Sequence, residues 1–385
     1  MNKHNYQINI YFSIRQINQK EWENLLSENN NPFYDWEWLV NLETSKSVSR
    51  ETGWQPLYFS VNLENNIIAI APLFLKNHSY GEFIFDQSFA KLADELDLQY
   101  YPKLIGMSPY SPVEGYKFLY KNQSSKSEIT ELLLTAIEGF ASNNNILSCN
   151  FLYVDIEWSN LLHNLGYRKW INIRSEWQSK GERSFDEFLM RFNSNQRKNI
   201  KKERKSIINQ KINIEIIRND KINLEVLKKM HDFYSRHCAR WGIWGSKYLT
   251  PQFFDSLLKQ KEKVLIFAAH QNKSSEIIAM SMCIKNKDSL WGRYWGSKEE
   301  FKNLHFELCY YQPIEWAISN GIQFFDPGAG GKHKRRRGFF ARETSSYHKW
   351  FDDNMSRIIH QWLNDVNNQT LYEIDIENQS IPFIK

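Results

Sequence analysis

The sequence predicts an α/β protein with mixed sheets, divided into two domains of similar size. Three observations lead there. The chain has 385 residues, beyond the size at which one hydrophobic core usually stops growing. Strand-like and helix-like apolar periodicities alternate along it. The same order of elements, a hairpin, then a helix, then another strand, occurs in both halves without sequence identity, as in an internal structural duplication.

In the first half, Gln7–Ser13 alternates as a strand, Gln19–Glu28 reads as a helix, and the aromatic stretch Phe33–Trp38 follows. Strands at Pro56–Val61 and Ile67–Leu75 flank a polar turn and form a hairpin. An amphipathic helix at Glu128–Ala141 leads into an apolar strand near Ile146–Val154. Between the halves, Ser184 with Glu187 three residues on reads as a capping box. Asn193-Ser194-Asn195 then offers a cap for a second, basic helix. In the second half, Val264–Ala269 and Ile277–Ile284 pair across Asn272–Ser275, Ser289–Trp295 is a third strand, a helix covers Leu304–Ser319, and Ile322–Phe325 is the next strand. The boundary falls near residue 175, giving domains 1–175 and 176–385.

Composition narrows the class. With 42% hydrophobic residues, 14 Trp, 19 Tyr and 25 Phe, the chain can fill two cores and is not a disordered one. No stretch approaches the roughly 20 consecutive apolar residues of a membrane span. The first residues alternate instead of presenting a signal-peptide core. A soluble, cytoplasmic protein without integral membrane association is expected. Cys149, Cys238, Cys283 and Cys309 are too scattered for zinc or a disulfide framework, so buried thiols are expected. The histidines are dispersed, and no metal site and no permanently bound cofactor is expected. The net charge of +5 is uneven: residues 196–206 and 332–337 together carry +10, which leaves the remainder at −5. Two local anion-attracting segments fit this better than a uniformly basic coat.

Four segments carry candidate chemistry. Residues 195–204 place Arg197, Lys201 and Arg204 on one helical face and Lys198, Lys202 and Lys205 on another. The helix reads as a solvated surface, as a phosphate or carboxylate site, or as a nucleic-acid contact. Asp326–Phe339 joins four glycines, Gly330 and Gly331 among them, to a basic run with Lys334 and Arg337. Its backbone can approach an anionic ligand closely. In the helix 304–318, Glu307, Tyr311 and Glu315 form a polar row, and Pro313 should bend the helix. His305 and Glu307 at its start are candidate proton acceptors. In the strand 291–296, alternation sends Arg293 and Trp295 to one side and Tyr294 to the other. Trp241 and Trp244 line a pocket or pack in a core. Hydrolase, zinc-protease and kinase signatures are absent.

Arg197–Arg204, Gly292–Gly296, Leu304–Gln312, His333–Phe339 and Thr344–His348, in this order, resemble the predicted N-acyltransferase family related to the Fem peptidoglycan-bridge enzymes. Ser108–Gly115 resembles that family's N-terminal motif. The resemblance implies two tandem GNAT-like domains, with the chemistry in the second. It implies an N-acyltransferase that moves an activated acyl group, a fatty acyl group among the candidates, from a coenzyme A or carrier-protein thioester to an amine of a peptide or amino-acid-like acceptor. The alternatives are aminoacyl-tRNA-dependent peptidyl transfer to a peptidoglycan precursor, with charged tRNA as partner, and a non-enzymatic module that binds nucleic acid or an anionic surface. In this reading Glu307 and His305 handle the proton, and backbone N–H groups of the 289–295 strand face the developing oxyanion. Arg197, Lys198, Gly330, Gly331, Lys334 and Arg337 hold the donor. Arg293, Tyr294, Trp295, Trp241, Trp244, Tyr311 and His348 line the substrate pocket. Two departures from the family pattern, Gly330 for an amide and Lys332 for an acid, point to a divergent, more anionic substrate. The usual glycine-containing pyrophosphate loop is missing between Ser297 and His305.

Overall fold

A computed structural model describes residues 5–27, 30–121, 126–240, 242, 246–271 and 276–384. Among them run thirteen strands: β1 (Gln7–Tyr11), β2 (Trp54–Leu63), β3 (Asn66–Lys76), β4 (Lys103–Gly106), β5 (Leu119–Tyr120), β6 (Ser148–Phe151), β7 (Arg168–Gln178), β8 (Ile212–Arg218), β9 (Val264–Gln271), β10 (Ile277–Lys285), β11 (Ser289–Ser297), β12 (Phe324–Asp326) and β13 (Phe340–Trp350). The chain forms two compact units, Met1–Asn172 with Thr344–Leu371, and Ile173–Glu343 with Tyr372–Lys385. The single boundary expected near residue 175 does not include this return of residues 344–371 to the first unit.

In the first unit the neighbours run β1-β2-β3-β4-β6-β13, with β5 beside β3. The expected hairpin is β2 and β3, antiparallel across Glu64 and Asn65, which take positive φ values of 49° and 64° in the turn. Both strands are buried almost throughout, as their continuous apolar runs require. The helix Lys126–Asn143 then carries the chain from β4 to its parallel neighbour β6, since parallel strands need a long crossover. It packs Ile129, Leu133 and Ile137 against Leu57, Leu104 and Phe151.

His348 belongs to this unit. It is 2% exposed, with Nδ1 at 2.8 Å from Asn150 Oδ1, Nε2 at 2.7 Å from Ser346 Oγ, and Trp350 stacked on its ring. It is a core histidine with both nitrogens occupied, not the pocket-lining residue expected from sequence.

The second unit repeats the plan with neighbours β7-β12-β11-β10-β9-β8. Strands β9, β10 and β11 form an antiparallel meander, and the expected turn residues 272–275 lie outside the described residues. The helical stretch 304–319 crosses from β11 to its parallel neighbour β12. The basic helix is Ser194–Asn209, capped by the Asn193 side chain as expected. Ser184 caps a short helix, Phe185–Leu189, but the reciprocal bond of a capping box is absent: the Glu187 carboxylate accepts from the Arg183 N–H. Cys149, Cys238 and Cys283 are buried and Cys309 is half-buried. Burial pushes the Cys149 and Cys283 thiols up to about 12.

Burial holds the His348 imidazole down at about 3, so the folded state keeps it neutral while the unfolded chain protonates it below its ordinary value of about 6.5. Unfolding therefore takes up a proton between those values, and stability falls as pH drops through this window. Replacing His348 with Asn should flatten the dependence of ΔG of unfolding on pH below about 6.5 by up to about 1.4 kcal/mol per pH unit. Urea titrations at pH 7, 6 and 5 measure this; equal slopes in the two proteins would refute it.

Candidate active site

Strand β11 parts from β12 after three pairs. Ser289, Leu290 and Trp291 face Phe324, Phe325 and Asp326, and the pairing ends there. Pro327 follows, without an N–H to donate, and Gly328 at φ +89° turns the chain away. Residues 292–297 pair with β10 and, among the described residues, with no other strand. Arg293 is the extra residue of a bulge opposite Met282 and Cys283. The bulge breaks the alternation expected from sequence. Tyr294 turns into an aromatic cluster with Tyr234 and Phe254, while Trp295 packs edge-on against His305. At Gly296 a Cβ would lie 2.1 Å from the Phe233 carbonyl oxygen, so helix Leu224–Ala239 sits directly on this strand.

The crossover helix is interrupted. Leu304–Phe306 is α-helical, Glu307–Tyr311 is a π-helix, and Gln312–Ser319 is α-helical again. The bend expected at Pro313 takes this form. Gln312 N–H donates to the Glu307 carbonyl, and Pro313 can donate to none. The Leu308 carbonyl is satisfied instead by the Ser281 hydroxyl of β10 at 2.6 Å. Single π turns of this kind recur at functional sites.

The polar row along this helix meets the basic helix. Glu307, 3% exposed, accepts from Arg204 Nε at 3.1 Å and Nη2 at 3.0 Å, and from Gln312 Nε2 at 2.8 Å. Arg204 Nη2 also reaches Glu315 at 2.6 Å. The Tyr311 hydroxyl donates to Glu203, which receives Arg337 Nη2 at 2.9 Å as well. The Arg337 guanidinium lies 3.4 Å above the Phe306 ring. Gln196, nearly buried, donates to the Arg336 carbonyl at 2.7 Å. The two basic segments, more than a hundred residues apart in sequence, are thereby held against each other.

Two clefts result. A basic cleft of about 670 Å³ is lined by Lys202, Lys205, Lys302, Phe306, His333, Arg336 and Arg337, with Glu203 as its carboxylate. Among the described residues, Lys202, Lys205, Lys302 and Arg336 make no ion pair. A second cleft of about 710 Å³ has Trp295, Phe301 and Leu304 as apolar wall, with His237, Arg240, Lys302 and His305 around it. Lys302 lines both clefts. Burial, reinforced by His333, His237, Lys334 and Arg337 nearby, holds the His305 imidazole down at about 3.

The structure redistributes the expected roles. His305 and Trp295 share the second cleft, but Glu307 spends its carboxylate on Arg204 and Gln312. Tyr294 and Tyr311 are buried and line neither cleft. Arg293 is ion-paired with Asp326 at 3.2 Å. Lys334 donates to the carbonyls of Gly328 at 2.7 Å and Ala329 at 3.0 Å, clamping the glycine turn, and burial lowers its ammonium to about 8. Gly330 and Gly331 shape that exposed turn. Arg197 packs on the Met190 sulfur, and Lys198 points to solvent. The exposed cations of the cleft are instead Lys202, Lys205, Lys302 and Arg336. Helical periodicity already groups Lys202 and Lys205; nothing in the sequence brings Lys302 and Arg336 to them. Trp241 and Trp244 lie outside the described residues.

A meander, a crossover helix and a parallel strand occur once in each unit, which makes this a mixed α/β protein of duplicated plan. The chain belongs to the FemAB_like family, described as peptidoglycan biosynthesis/recognition, whose model matches residues 13–385. Among solved structures it is similar to FemX, with a TM-score of 0.55, 11% identity, and coverage of 92% of this chain and 100% of that one. It is likewise similar to L-PGS from Bacillus licheniformis, with a TM-score of 0.51, 11% identity, and coverage of 84% and 95%. No curated protein matches the sequence. Among the described residues no helix is long and apolar enough to cross a membrane, and no group of His, Cys, Asp and Glu is placed to hold a metal ion.

Replacing Glu307 with Gln leaves Arg204 short of a buried partner, and should lower the free energy of unfolding by roughly 2–3 kcal/mol. Urea titration at pH 7 checks this, and an unchanged midpoint would remove the bracing role.

Proposed function

We propose that the protein is an N-acyltransferase that moves an activated acyl or aminoacyl group from a phosphate-bearing donor to an amine on a peptide or amino-acid-like acceptor. The observation that carries this reading is the basic cleft, where Lys202, Lys205, Lys302 and Arg336 converge and, among the described residues, make no ion pair. A phosphorylated donor supplies the balancing negative charge. The donor candidates are a coenzyme A or carrier-protein thioester and a charged tRNA, and the family description supports a peptidoglycan-type peptide as acceptor.

In this mechanism the donor's phosphates lie against Lys202, Lys205, Lys302 and Arg336, and its acyl carbonyl reaches residues 292–297. Backbone N–H groups of this stretch would face the oxyanion that develops as the amine attacks. The acceptor enters by the second cleft, against Trp295 and Phe301. Lys302, common to both clefts, stands between donor and acceptor.

Intact-mass analysis of candidate amine acceptors incubated with an acyl-coenzyme A, an acyl-carrier protein or a charged tRNA identifies the donor: a mass gain with one of them is expected. No gain with any would reject the reading. With the active donor, the double substitution Lys202→Ala and Lys205→Ala should raise its KM roughly tenfold, equivalent to about 1.4 kcal/mol. This effect should shrink at high salt, and a KM unchanged from wild type at low salt would move the donor elsewhere.

A further inference from the structure

A transfer to an amine must dispose of a proton, and the geometry around the clefts separates the groups that can take it. Glu307 is enclosed by Arg204 and Gln312. Burial above all keeps the His305 imidazole neutral, and His333, His237, Lys334 and Arg337 add to this. His333 differs from both. It is exposed on the basic cleft, and its Nε2 lies 3.0 Å from the Tyr310 hydroxyl. Its Nδ1 makes no hydrogen bond among the described residues.

The ring is held from three sides. Tyr310 belongs to the π turn and is nearly buried, its ring packed on Phe306 and Phe339. Phe306 also faces His333, with ring centroids 5.7 Å apart. Beneath it is Gly331, where a Cβ would come within 2.6 Å of the imidazole. Any larger residue at 331 displaces the ring. A phenol hydroxyl both donates and accepts, so Tyr310 can accept from Nε2–H whenever Nδ1 is the nitrogen that binds a proton. An accessible imidazole with one nitrogen backed by a buried hydroxyl, and the other open, is an arrangement for moving protons.

We propose that His333, oriented by Tyr310, carries the proton of the transfer. This rests on the transferase reading above. As the amine nitrogen bonds to the acyl carbon, its surplus proton passes to His333 Nδ1, and Nε2–H donates to the Tyr310 oxygen. As the ester or thioester bond breaks, the imidazolium returns the proton to the departing oxygen or sulfur. The products are an amide and the protonated leaving group, with His333 neutral again. Tyr310 is a positioning residue. The charged and titratable groups around the ring are Lys334, Arg336 and Arg337 of its own turn, Lys202, Glu203 and Lys205 of the basic helix, Lys302 before the crossover helix, and His305 and Tyr310 within it. Partial burial, with Arg337 and Lys334 close by, keeps the imidazole neutral to lower pH than usual.

The experiment is a pH–rate profile of wild type, His333→Gln and Tyr310→Phe with whichever donor the mass analysis identifies, with melting temperatures measured alongside. Wild-type kcat should rise along a limb with its midpoint below about 6.5. His333→Gln should lose roughly 100-fold or more in kcat and the limb with it, at an unchanged melting temperature and donor KM. Tyr310→Phe should keep a limb with a displaced midpoint and a smaller loss of kcat. Wild-type turnover retained by His333→Gln would overturn the proposal and leave the transferase reading standing. Absence of turnover by the wild-type protein with every donor would overturn both.

Discussion

The ion pair between Arg204 and Glu307 is the contact on which the geometry of the second unit depends. It joins the basic helix to the π turn inside the protein, where removing either partner would leave an uncompensated charge. Its value lies in register more than in net stabilisation, because desolvating both ions offsets much of their attraction. Only one rotation of the basic helix lets Arg204 reach Glu307 and Glu315 while Glu203 meets Tyr311 and Arg337. That rotation leaves Lys202 and Lys205 facing the cleft.

The same coupling explains why so many basic residues in two short runs behave differently. Arg204, Arg335 and Arg337 are neutralised within the fold by Glu307, Glu377 and Glu203. Lys334 has carbonyl partners and holds a turn that would otherwise be loosely set by its glycines. Of the rest, Lys202, Lys205 and Arg336 meet Lys302 at one cavity. A formal count of charge along the chain treats these groups alike, whereas tertiary pairing sorts them into braces and ligand-facing groups.

The elements were largely legible in the sequence because they follow local periodicity: the hairpins, the crossover helices, and the Asn193 cap all arise where residue patterns place them. Pro313 correctly marked an irregularity, and the polar row at Glu307, Tyr311 and Glu315 proved to be one face meeting the basic helix. Simple alternation failed at Arg293, since a bulge shifts every side chain beyond it by one position. His348 was misassigned because a motif match cannot distinguish a histidine with both nitrogens satisfied in a core from one open to a cleft. Tyr310 and His333, more than twenty residues apart, became a pair only through the π turn and the space above Gly331.

By itself the sequence determined the α/β class, the duplicated order of elements, the family, and the two segments where positive charge concentrates. Each depends on composition, local spacing or motif order. Which cations face a ligand, which carboxylate is a brace, and which histidine can exchange a proton were decided by tertiary structure alone. These properties arise from burial and from partners distant in the chain, and a residue's chemistry is set by what surrounds its reactive atoms.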